Sequence, residues 1–300
     1  MLEEGKFKNR DGIELHYMEQ TSYDSDLKPV FIIPALPESD MDYKDIIYVL
    51  PNYAVCVTPR GRELSDAPET GYSVQDHAND IIDTMEHFKL EETTVIAYSR
   101  GVAYFLQALP EIKDKINGLI LIDYPAQYDN HPANWAKQFL EQSWRAMPIK
   151  ERFPGRPWVL ERIEQESTYV NLWENLMGID FPVRLFIGGG EFSDPVLIPS
   201  KITEDHIKKY KIYIPDIKII EFENSGHDLR LWEYEKFMTE VKNFLDEVNP
   251  HPVVPVVAES DTSKEENNQK EEKRKEKKSK KKKEKISLYG FNPDKLIKLN

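Results

Sequence analysis

Ser99 lies in Thr93-Thr94-Val95-Ile96-Ala97-Tyr98-Ser99-Arg100-Gly101-Val102-Ala103-Tyr104, where a β-branched apolar run passes, without a Gly or Pro break, into residues at helical spacing. A strand that turns into a helix within two residues strains the residue at the turn and lifts its side chain above the sheet, so its neighbours Ala97 and Gly101 must be small. A hydroxyl presented in this way is a nucleophile if a histidine takes its proton and a carboxylate orients that histidine; otherwise it is an N-terminal helix cap. His227, in the turn Asn224-Ser225-Gly226-His227-Asp228, is the expected base. Asp194, beyond the turn Gly188-Gly189-Gly190, is the expected carboxylate, with Glu191 and Asp123 as rivals because each also follows an apolar run. The glycine turn lacks the Lys-Ser/Thr of a phosphate loop. His16, His77, His87, His131 and His206 share no spacing and are expected on the surface or in packing, and no Cys/His cluster suggests a metal.

The elements that must position these groups follow from periodicity. Asp11-Gly12 between two alternating stretches predicts a hairpin. Apolar runs over 29–33, 53–58, 93–98, 116–123, 182–187 and 217–222 predict buried strands. Between them, helical spacing predicts helices through Ile46 to Leu50, from the N-cap Ser73 through Phe88, from Arg100 to near Pro110, around Glu204 to Tyr210, and from about Leu231 to Val248. Alternating strand and helix implies a mostly parallel sheet with right-handed crossovers and helices on both faces. In such a sheet reactive groups gather at the carboxyl ends of strands, where Ser99, Asp194 and His227 would each fall. Residues 125–180 contain no clear apolar strand and hold four of the five tryptophans, so an inserted helical cap is expected there, its tryptophans packing it against the sheet or touching substrate.

The net charge of −13 is unevenly spread. Residues 251–300 carry 14 Lys+Arg against 9 Asp+Glu, which leaves 26 against 44 in the first 250. An acidic body is a poor nucleic-acid surface, so none is expected to bind there. Residues 1–250 are expected to form one domain, 251–285 a disordered linker, Pro-rich and then Lys/Glu-rich, and 286–300 a short closing segment. The Lys-rich run is either a solvated tether or an attachment to an anionic surface or protein partner. The charged N-terminus and the absence of a long apolar run lead to a cytoplasmic expectation. The single cysteine, Cys56, is expected to be a buried, inert strand residue.

Across residues 5–248 the chain resembles the α/β-hydrolases. The order Ser, Asp, His is theirs, and Ala97-x-Ser99-x-Gly101 is similar to their nucleophile elbow with Ala for the first Gly. Pro59-Arg60-Gly61-Arg62-Glu63-Leu64-Ser65-Asp66-Ala67-Pro68 resembles their R-G-x-G-x-S-D-x-P loop. Tyr72-Ser73-Val74-Gln75-Asp76-His77-Ala78-Asn79-Asp80 is similar to their Y-S-x-x-x-x-A-x-D helix start, and Ser225-Gly226-His227 to their G-H turn. The resemblance implies the α/β-hydrolase fold, no cofactor, a small-molecule acyl substrate, and an oxyanion hole from the backbone N–H groups of Leu36 and Arg100. It also favours Asp194, which precedes Pro195 as in a D-P-x-x-P turn. One departure bears on the oxyanion loop, where Pro34-Ala35 stands in place of His-Gly. The expected activity is a serine hydrolase, carboxylesterase-like, working through an acyl-enzyme. Peptidase or carbon–carbon bond hydrolase chemistry, or a non-catalytic scaffold that keeps the fold, are the alternatives.

Overall fold

The computed structural model describes residues 1–144, 147–153, 155–190 and 198–249, so Glu191, Asp194 and everything expected of 251–300 lie outside the described residues. Strands β1 (Leu2–Lys8) and β2 (Glu14–Gln20) form the hairpin across Asp11-Gly12, with Gly12 at a φ of 78° as such a turn requires. There follow β3 (Val30–Ile33), α1 (Lys44–Val49), β4 (Ala54–Val57), α2 (Val74–His87), β5 (Thr93–Tyr98), α3 (Arg100–Ile112) and β6 (Ile116–Ile122). The inserted region holds β7 (Gln127–Tyr128), α4 (Trp135–Leu140), β8 (Ser143–Trp144), β9 (Met147–Pro148), α5 (Ile149–Arg152), α6 (Trp158–Glu166) and β10 (Val170–Asn171). The chain then returns through β11 (Val183–Gly188), α7 (Glu204–Tyr213), β12 (Lys218–Phe222), α8 (Leu229–Trp232) and α9 (Tyr234–Val248).

Eight strands form one sheet in the order β1-β2-β4-β3-β5-β6-β11-β12, antiparallel only where β1 meets β2 and β2 meets β4. The inner strands β3, β4, β5, β6 and β11 are mostly apolar and buried because both faces are covered, and successive residues go to opposite sides. Phe31, Val55, Val95, Ala97, Leu119 and Leu121 join α2 and α3 in one core. Ile32, Cys56, Ile96, Ile120 and Ile122 join α1 and α9 in the other. Ser73 caps α2 in a reciprocal box with Asp76, as its spacing predicts. Among the described residues, no helix is long and apolar enough to cross a membrane.

Three local expectations are corrected. Helix α3 runs through Pro110 instead of stopping there. Pro110 has no N–H for the Leu106 carbonyl, and Asn175 Nδ2 supplies the missing donor at 2.8 Å. The cap is not purely helical, because β7 pairs with β10 and β8 with β9. The final helix is split at Glu233, whose carboxylate accepts from Asn224 N at 2.9 Å and Ser225 Oγ at 2.8 Å, pinning the turn that leads into His227. Of the cap tryptophans, Trp173 is wholly buried in the main core, edge-on to Tyr210.

Candidate active site

Ser99 stands between β5 and α3 with φ 49° and ψ −124°, a conformation that L-residues rarely adopt. Two backbone bonds hold it there: Ser99 N–H donates to Ile122 O at 2.9 Å, and Ser99 O accepts from Val102 N at 2.9 Å. A Cβ at Gly101 would lie 2.7 Å from Pro34 O and 2.9 Å from Ile33 O, so the helix start is packed directly on the loop after β3. Ala97 is fully buried with its methyl in the core, which accounts for Ala where the family pattern has Gly.

His227 brings Nε2 to 2.8 Å from Ser99 Oγ. Its other nitrogen, Nδ1, is 2.6 Å from Asp123 Oδ2. A carboxylate at Nδ1 draws the proton to that side and leaves the Nε2 lone pair facing the hydroxyl. His227 N–H is itself bonded to Ile198 O at 2.8 Å.

Asp123 is wholly buried one residue past β6, with φ 49° and its N–H on Phe186 O at 2.9 Å. Besides His227, its carboxylate accepts from Gly188 N at 3.2 Å, Ser200 Oγ at 2.5 Å and Lys201 N at 3.0 Å. Four donors around a buried carboxylate satisfy its charge and fix its direction. The bond expected from Asp194 is thus made by Asp123, while Asp194 and Glu191 lie outside the described residues.

The loop after β3 is fixed by buried polar contacts that no local pattern announces. Glu38 Oε2 accepts from Ala35 N at 3.3 Å and from Tyr43 Oη, and Glu38 Oε1 meets Arg230 Nη2 at 3.3 Å. Ala35 N–H is therefore engaged, and the next amide along is that of Leu36, whose own carbonyl accepts from Arg62 Nε at 2.8 Å. Arg100 opens α3, so its N–H belongs to the first turn, which has no intrahelical acceptor. Proline at 34 removes an N–H from this loop without touching the two amides expected to matter.

The loop and helix-start motifs resolve into a structural clamp. Arg60 grips Asp80 through Nε at 2.7 Å and Nη2 at 2.6 Å, and Asn9 Nδ2 adds a third donor at 2.6 Å. The inserted region packs on the loop after β3 through its own apolar cluster, in which Leu36 and Tyr72 meet Ala136, Phe153, Leu160 and Ile163.

No protein-family model matches the sequence. The curated 2-(acetamidomethylene)succinate hydrolase of Mesorhizobium japonicum is 26% identical over 123 residues, 38% of this chain and 44% of that protein, so less than half of that relative is spanned. Among solved structures, an esterase from a Rhodococcus species superposes with a TM-score of 0.66 at 16% identity, covering 82% of this chain and 99% of that one. The enol-lactonase of Burkholderia xenovorans superposes at 0.64 and 15% identity, covering 80% and 99%. The chain has the α/β-hydrolase fold.

Proposed function

We propose that the protein is a serine hydrolase that cleaves an ester or related acyl bond through an acyl-enzyme. The observation that carries this reading is the continuous chain from Ser99 Oγ to His227 Nε2 at 2.8 Å and from His227 Nδ1 to Asp123 at 2.6 Å. Ser99 Oγ bonds to the acyl carbon as its proton passes to Nε2, and the carbonyl oxygen becomes an oxyanion held by the Leu36 and Arg100 amides. The tetrahedral species collapses, and the leaving group departs with the proton from Nε2. Water then repeats the sequence, with His227 as base, to release the acid and free Ser99. Asp123 holds the imidazole in one tautomer and stabilises its cation. The similarity to proteins named as an esterase, an enol-lactonase and a 2-(acetamidomethylene)succinate hydrolase supports a hydrolase.

A fluorophosphonate probe tests the reading. The folded protein should be labelled covalently, and Ser99→Ala should abolish the label. Folded protein that takes no label would make the scaffold alternative the better account.

A further inference from the structure

Six arginines are buried among the described residues, and four of them face carboxylates. Arg60 holds Asp80, Arg152 meets Asp42, Arg184 reaches Glu247, and Arg230 meets Glu38. Arg62 and Arg100, 1% and 8% exposed, have no carboxylate partner among the described residues. Arg62 spends its Nε and Nη1 on the carbonyls of Leu36 and Arg60 and on His77 Nε2, and its Nη2 is buried without a hydrogen bond.

Among the described residues, the hydrogen-bond and ring partners of Arg100 are neutral. Its Nη1 contacts His131 Nε2, and its Cζ sits over the rings of Tyr128 at 5.2 Å and Trp135 at 5.4 Å. Burial and Arg100 itself hold His131 down at about 3, so that ring is neutral and offers a lone pair, not a charge. A guanidinium remains charged at any ordinary pH, and a buried charge without a counter-ion is costly. Arg100 also lies close enough to Arg62 and His77 to disfavour their protonated forms, so the cations reinforce one another. Both stand at the reaction centre: Arg100 follows Ser99 in the chain, and Arg62 holds the carbonyl of Leu36.

We infer that the missing counter-ion is the substrate's, a carboxylate on the acyl portion received by the Arg100 side chain between α3 and the cap, with Arg62 adding positive potential behind it. The inference rests on the hydrolase reading for the word substrate but not for the binding site itself. A planar guanidinium fits a planar carboxylate through two parallel bonds, and the Tyr128 and Trp135 rings fix its orientation.

Two esters that differ only at the far end of the acyl chain test it: the mono-p-nitrophenyl ester of glutarate, which ends in a carboxylate, and p-nitrophenyl valerate, which ends in a methyl. Wild type should favour the glutarate ester in kcat/KM by about 10- to 100-fold, the range a charge-assisted pair supplies. Arg100→Gln should bring that ratio close to one, and Arg100→Lys should retain part of it. A ratio cancels any loss common to both esters. In parallel, glutarate should raise the melting temperature of the wild-type protein, glutaramide should not, and Arg100→Gln should lose the response. A wild-type ratio near one, a glutarate response that survives in Arg100→Gln, or stronger protection by inorganic phosphate than by glutarate would each overturn the carboxylate site. If neither ester is cleaved and the fluorophosphonate does not label, the hydrolase reading falls, and the glutarate response alone decides the site.

Discussion

Asp123 Oδ2 lies 2.6 Å from His227 Nδ1 across 104 residues of chain, while the other oxygen of the same carboxylate holds Ser200 and the Gly188 amide. One side chain thus orients the imidazole and ties down the segment that follows β11. Replacing it should therefore have two separable effects, one on turnover and one on local order.

For turnover, Asp123→Asn should lower kcat by roughly 10⁴, the size seen when the orienting aspartate of a serine protease is changed to asparagine, with substrate binding nearly kept. Asp194→Asn should stay within a few-fold of wild type. Steady-state kinetics on an activated ester, with both variants checked for folding by circular dichroism, gives the answer. The reverse pattern would return the role to Asp194.

Gly101 has no room for a side chain against Pro34 O and Ile33 O. Gly101→Ala should push the loop bearing Leu36 away from the start of α3, costing about 1–3 kcal/mol of stability as overpacking does. Because the Leu36 and Arg100 amides proposed for the oxyanion lie on opposite sides of that contact, the rate of fluorophosphonate labelling should fall at least about tenfold, in line with the loss of one such donor. Ala97→Gly should label at close to the wild-type rate.

Helix α3 depends on a borrowed donor at Pro110. Asn175→Ala removes it and leaves Leu106 O buried without a partner, so urea denaturation should show a loss of about 1–3 kcal/mol. Pro110→Ala restores a backbone N–H within reach of that carbonyl, and in this background Asn175→Ala should cost clearly less. Equal costs in both backgrounds would mean that the amide serves another purpose.

Two histidines should make stability fall in mild acid. Burial and nearby Arg62 hold His77 well below the usual histidine range, and His131 sits at about 3. In the folded chain both stay neutral at pH 6, whereas the unfolded chain protonates them below about 6.5. The unfolded state then binds more protons, so their contribution is complete above that pH and is lost as pH drops below it, at no more than about 1.4 kcal/mol per pH unit for each ring. His77→Gln should flatten the decline between pH 7 and 5, measured by urea titration at each pH. An unaltered slope in the variant would assign the decline to other groups.

The fold was largely legible because its signals are local and repeated. Asp11-Gly12 marks the hairpin, Ser73 and Asp76 mark the start of α2, and unbroken runs such as Leu119 to Ile122 mark strands covered on both faces. The meeting of Ser99 with His227 was legible because each sits in a short motif at a strand end. The carboxylate was harder. Strand-end logic placed both Asp123 and Asp194 near the histidine, and the motif-like Asp194-Pro195 favoured the latter. What fixes Asp123 comes from Gly188, Ser200 and Lys201, 65, 77 and 78 residues further along, and nothing around position 123 encodes those contacts. Helix α3 passing Pro110 was hidden for the same reason, since its compensation lies in the cap at Asn175. That Arg62 and Arg100 face no carboxylate among the described residues is likewise a matter of who their neighbours are, which a string of residues does not show.

Ser99 and Asp123 each stand one step beyond neighbouring parallel strands whose register aligns Tyr98 with Ile122. Strand neighbours in any sheet are held about 4.8 Å apart by their ladder of backbone bonds. The lateral gauge between Ser99 and Asp123 is therefore a property of the main chain and is indifferent to the side chains packed around it. Substitutions can change the side chains around this pair, but none can widen the gauge by degrees. A slip of β6 along β5 would leave that spacing as it is and displace Asp123 along the strand relative to Ser99, and a slip of one residue would turn Ile120 and Ile122 onto the opposite layer. Variation in this chain is thus channelled away from the spacing of Ser99 and Asp123 and toward the cap and loops around them.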